Sequence, residues 1–109
     1  MDYTDYMNET EDLLLRLRAN DFEILFTDNG ENVLEWSENL VDSKGIHREF
    51  LSEAMACDEC VIKVLHIPTQ KKRTLFLVYG NSAGELVCDY TSCPELDAVV
   101  DAFSDAHCN

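Results

Sequence analysis

Apolar positions follow two periods along the chain, and the changes of period mark its elements. Leu13, Leu14 and Leu17 share one helical face, and Asn8 with Glu11 three residues later stands in the capping-box relation ahead of them. A first helix is therefore expected from Asn8 to about Asn20. The stretch from Phe22 to Trp36 holds two apolar runs about Asp28-Asn29-Gly30, the short-range signature of a hairpin. A second reading competes for part of it. Asp28 and Glu31 also stand in a cap relation, and Val33, Leu34, Leu40 and Val41 lie near helical spacing, so residues 31–42 have a helical alternative. The hairpin is preferred.

Ser43 can cap a second helix through Ala56, with Ile46, Phe50, Leu51, Ala54 and Met55 as its inward stripe and Gly45 weakening its first turn. Residues 60–67, 73–79 and 85–90 are rich in β-branched and aromatic side chains and read as a three-stranded antiparallel meander. Trp36, Phe76, Tyr79 and Tyr90 are expected as core or cross-strand partners. Ser92 and Glu95 frame a last helix, with Pro94 in its first turn and Leu96, Val99, Val100 and Phe103 on one face, ahead of a fraying AHCN tail. The order α-β-β-α-β-β-β-α predicts an α+β fold: an antiparallel sheet of about five strands with helices on one face. Residues 1–109 make one domain of the commonest size, with residues 1–7 and 106–109 as candidates for flexibility and Tyr3 and Tyr6 in that acidic arm.

Charge changes the picture most. Lys and Arg number 8 against 22 Asp and Glu, a net charge of −14, which weighs against direct binding to nucleic acid or an anionic membrane. The opening MDYTDYMNETED has no basic n-region or apolar h-region and no apolar run approaches a membrane span, so a cytoplasmic protein is expected. Most of the imbalance lies in the first sixty residues, and the stretch from Asn20 through Asp42 holds seven acids and no base. On the last helix Asp97, Asp101 and Asp105 recur every four residues, and Glu49 and Glu53 repeat that relation on the middle one. Like charges so spaced cost a helix about 0.2–0.5 kcal/mol per pair, and no lysine relieves them.

A basic protein partner explains such uncompensated acids, because a negative field speeds encounter and favours register. The expected function is that of a non-enzymatic acidic interaction protein. Its partner-binding candidates are Asp21, Glu23, Asp28, Glu31, Glu35 and Glu38, with Asp97, Asp101 and Asp105 second. One form of this binding is imitation of nucleic-acid phosphates, as in small phage and plasmid inhibitors of nucleic-acid-binding proteins. The plain alternative is a solvated acidic surface on a soluble domain with no such role. Lys71-Lys72-Arg73, expected in the connection between two strands, protects a sheet edge or meets the acidic half of a second copy.

Enzymatic and metal chemistry find weaker support. Five cysteines, at 57, 60, 88, 93 and 108, are an odd number, and reduced thiols are expected. Cys57 and Cys60 have the spacing of a zinc half-site that Cys88 and Cys93, or His107 and Cys108, can complete; structural zinc is thus the alternative cofactor to none. Gly80-Asn-Ser82-Ala-Gly84 matches G-x-S-x-G, with Asp97 or Asp101 and His107 following in hydrolase order. The segment after Ser82 reads as a strand, whereas a nucleophile elbow needs a helix, so a hairpin turn is expected. His47 and His66 stand alone, and no P-loop, dinucleotide fingerprint or HExxH is present.

Overall fold

Period-two alternation in Glu59–His66 sets the centre of the fold: Cys60, Ile62, Val64 and His66 are buried, while Glu59, Val61, Lys63 and Leu65 alternate with them toward the opposite face. The computed structural model describes residues 3–36, 41–42, 45–46, 48–79 and 86–107. The elements are α1 (Tyr3–Ala19), β1 (Phe22–Asp28), β2 (Val33–Glu35), β3 (Val41–Asp42), β4 (Gly45–Ile46), α2 (Arg48–Ala54), β5 (Glu59–His66), β6 (Lys71–Val78), β7 (Val87–Tyr90) and α3 (Pro94–His107). Five strands form one antiparallel sheet in the order β2-β1-β5-β6-β7, so β2 and β7 are its edges.

All three helices pack on one face of this sheet. Leu13, Leu14 and Leu17 of α1, Leu51 and Ala54 of α2, and Leu96, Val99, Val100 and Phe103 of α3 share one core with Phe22, Ile24, Ile62, Val64, Leu75 and Leu77 of the strands. Burial of each large apolar side chain stabilises the fold by about 1.5–3 kcal/mol. The expected α+β layout with helices on one face is the one observed. No described helix is long and apolar enough to cross a membrane.

Several boundaries differ from expectation. Helix α1 starts at Tyr3, leaving Asn8 in its interior, because Tyr6 and Met7 also pack against the core; the Tyr6 ring meets Tyr79 edge-on at 6.0 Å. It ends where Asp21 takes a left-handed φ of 66°, the usual device for leaving a helix. The hairpin reading of Phe22–Trp36 holds, with a four-residue connection from Asn29 to Asn32 in which Gly30 has a φ of 90°. The helical alternative for 31–42 does not: β2 and β3 are strands.

Helix α2 is shorter than a run from Ser43 to Ala56. Gly45 and Ile46 pair with Val41 and Asp42 in a separate two-stranded ribbon, and Ile46 fits an apolar strand position as well as a helical one. Ser43, Lys44 and His47 lie outside the described residues. Lys71-Lys72-Arg73 is the start of β6 and not a loop, since the turn is confined to 67–70, where Gln70 has a φ of 57° and its N–H donates to the His66 carbonyl at 2.8 Å. Helix α3 starts one residue later than a Ser92 cap implies, and the Asp97 N–H donates to the Cys93 carbonyl at 2.8 Å. Its end does not fray at Ala106 and His107, which are helical, and the His107 ring is bonded to Asp12.

Candidate interaction surface

With the helices on one side, strand register decides what the sheet presents on the other. Val33 faces Asp28, Asp28 faces Val61, Val61 faces Phe76 and Phe76 faces Asp89, a row that crosses all five strands. The next row runs Glu35, Phe26, Lys63 and Thr74, and a third runs Glu23, Leu65 and Lys72. Glu59, opposite Val78, closes the face at the far end of β5. A bulge between Ile24 and Phe26 keeps Glu23 and Phe26 on this same face. Directly opposed side chains on such a face have Cβ atoms about 4.5–5.5 Å apart.

The resulting surface has an apolar middle and a border of carboxylates that exposed Lys72 interrupts in the row of Glu23. Phe26, Val61, Leu65, Phe76 and Val78 are half-buried and Val33 is 61% exposed, whereas Glu23, Glu35, Glu59 and Asp89 are exposed. Lys63 stands in the middle, its ammonium donating to Thr74 Oγ1 at 2.9 Å. Two shallow hollows flank Phe76: one against Thr74, Asp89, Tyr90 and Thr91, the other against Asp28, Asn29, Gly30, Glu59 and Val61.

The hairpin that carries part of this border is held from below. Asn29 is buried; its Nδ2 donates to the Glu53 carbonyl at 3.0 Å, and its Oδ1 accepts from the N–H groups of Glu31 at 3.0 Å and Asn32 at 2.8 Å. Asp28 Oδ1 accepts from the Gly30 N–H at 2.9 Å, an Asx turn that sets its carboxylate at the edge of the hollow. Trp36 Nε1 donates to Thr27 Oγ1 at 3.0 Å on the buried side of the same hairpin.

The candidate acids fall into separate groups. Glu23, Asp28 and Glu35 all lie on the open face, Glu23 near the opposite end of β1 from Asp28. Asp21 lies in the turn between α1 and β1, Glu31 lies in the hairpin connection near Cys57, and Glu38 is outside the described residues. Asp97, Asp101 and Asp105 are on α3 in the helical layer, the first two beside Tyr90 of β7. There Asp97 accepts a hydrogen bond from the Tyr90 hydroxyl, which with partial burial and the Asp97 and Asp101 charges raises the tyrosine pKa above its ordinary 10.0. The structure does not join this stripe to the hairpin acids, since β2 and β7 are opposite edges of the sheet.

Of the four described thiols, Cys57 lies close enough to Cys60 to act on it electrostatically, while Cys88 and Cys93 stand on β7 and ahead of α3. Cys60 points into the core, and burial followed by the Asp28 charge pushes its pKa up to about 12. Cys57 is half-buried beyond α2, and burial, then Glu31, raises its pKa too. Cys88 is exposed on β7 and Cys93 is buried before α3. Among the described residues no three His, Cys, Asp or Glu side chains gather as a metal site. Ser82 lies outside the described residues, and the acid beside His107 is Asp12, not Asp97 or Asp101.

The chain matches no known family model, no curated protein and no solved structure. What it can do must come from the surface itself. Two of the five border acids, Glu59 and Asp89, and both outward phenylalanines were not among the sequence candidates. The alternation of ECVIKVLH contains the signal for Glu59, since burying Cys60, Ile62 and Val64 puts it opposite them. Asp89 had no such signal, because β7 carries a register shift after Phe76.

Proposed function

We propose that this protein is a non-enzymatic acidic interaction module that binds a basic protein surface with the open face of its sheet. The observation that carries the reading is the row Val33–Asp28–Val61–Phe76–Asp89, in which exposed Val33 and half-buried Val61 and Phe76 are interspersed with two carboxylates and no described helix covers them. Apolar area gives such a contact its affinity, and the border acids supply steering and partner choice. The apolar middle favours contact with an amphipathic basic surface over pure phosphate imitation, for which regular carboxylate spacing alone suffices. Free thiols at Cys57, Cys60, Cys88 and Cys93 accord with a reducing compartment such as the cytoplasm.

Titration with a fluorescent amphipathic Lys/Leu peptide tests this reading through two variants of equal charge change. Glu23→Gln/Glu35→Gln/Asp89→Asn is expected to weaken binding at least tenfold, and Asp97→Asn/Asp101→Asn/Asp105→Asn by less than threefold. Wild-type binding should weaken steeply between 50 and 300 mM salt, as exposed charges are screened over about 8–10 Å. Equal losses in the two variants, or salt-independent binding, contradict the reading.

A further inference from the structure

The backbone of the open face restricts what can lie on it. Its strand N–H and C=O groups are spent in the ladders, so an extended segment placed there finds no backbone partners, whereas a helix satisfies its own. A helix is also what covers the other face of this sheet. The two hollows fix where charges on such a helix belong. Each contains carboxylate, Asp89 in one and Asp28 with Glu59 in the other, and Phe76 is the ridge between them. β1 and β7 are three strand spacings apart, which puts Asp28 and Asp89 about 14 Å from one another along the row.

We infer that the occupant is a basic amphipathic helix laid across the strands, with Arg or Lys at positions i and i+7 reaching the two hollows and apolar residues at i+3 and i+4 on Phe76. This rests on the reading of the open face as a binding surface. Positions i and i+7 rise about 10.5 Å apart, and the flexible cationic stems cover the remaining few ångströms. Lys63 sets the register. It occupies the adjacent row beside Phe26 and repels a cation placed there, so the paired cations belong in the row of Asp28 and Asp89. A second copy of the chain fits poorly, because its own border acids would face these.

The experiment uses the full chain and two labelled helical peptides of identical composition, one with arginines at i and i+7 and leucines at i+3 and i+4, the other with the two arginines adjacent. Fluorescence anisotropy is expected to show the first binding at least tenfold tighter. Asp28→Asn, which keeps the Oδ1 acceptor of its turn, and Asp89→Asn should each remove most of that preference, and Lys63→Gln should tighten binding of the first peptide. Equal affinities for the two peptides overturn the helix register while leaving a salt-sensitive acidic surface in place. Preference that survives both Asp28→Asn and Asp89→Asn also overturns it. If the first peptide fails to bind while the Lys/Leu probe binds the open face, the register falls alone; if neither binds, both readings fall.

Discussion

His107 Nε2 lies 2.6 Å from Asp12 Oδ2, fastening the last residue of α3 to the middle of α1. Arg16 Nε donates to the same oxygen at 2.8 Å. Partial burial alone would raise the Asp12 pKa, but hydrogen bonds from Arg16 and His107 and their charges outweigh it and hold the carboxyl below its ordinary 3.8. A depressed carboxyl contributes stability above its unfolded pKa and loses it as pH falls through the folded value.

Asp12→Asn is therefore expected to destabilise the fold at pH 7 by about 0.5–1 kcal/mol, a modest figure because the pair is about a third exposed. The gap to wild type should close as the pH falls below 3.8 and through the lowered folded pKa. Urea unfolding at pH 7 and pH 3 checks this, and a gap of equal size at both contradicts it.

The buried Asn29 side chain joins the hairpin to α2 through one hydrogen bond, to the Glu53 carbonyl, and closes the hairpin connection by accepting two more, from the Glu31 and Asn32 N–H groups. Asn29→Ala should cost about 1–2 kcal/mol, since three part-buried backbone groups lose their partners. Asn29→Asp keeps the two acceptor bonds but turns a carboxylate toward the Glu53 carbonyl, and it too should destabilise at pH 7. Thermal unfolding of both variants reads the result, and a wild-type midpoint for Asn29→Asp shows that the bond to Glu53 contributes nothing.

Thiol reactivity follows exposure and thiolate content. At pH 8, Cys88 should alkylate first, Cys57 more slowly, and Cys60, with its pKa near 12, only after unfolding. Peptide mapping after timed exposure to iodoacetamide gives the order. Fast labelling of Cys60 in the folded protein would contradict its burial.

Local pattern made much of the fold legible and little of its binding face. The periodicity of Leu96, Val99, Val100 and Phe103 has no competing interpretation, and Asn29-Gly30 reports its turn within a few residues. Ile46 shows the opposite case. An apolar residue beside Gly45 serves a helix or a strand, and pairing with Val41 decides between them. Asn8 is a good cap by residue type, but packing of Tyr6 and Met7 carries α1 past it. Glu23, Asp28 and Glu35 come to share one face with Glu59 and Asp89 only through strand order, and the distance along the chain between β1, β5 and β7 hides that relationship.

Amide NMR of the wild-type protein during titration with the Lys/Leu peptide tests the open face most directly. The largest shift changes are expected at Phe26, Asp28, Val61, Phe76 and Asp89, with Asp97–Asp105 of α3 nearly unmoved. Changes greatest on α3, or spread evenly over the strands and helices, would contradict binding at the sheet.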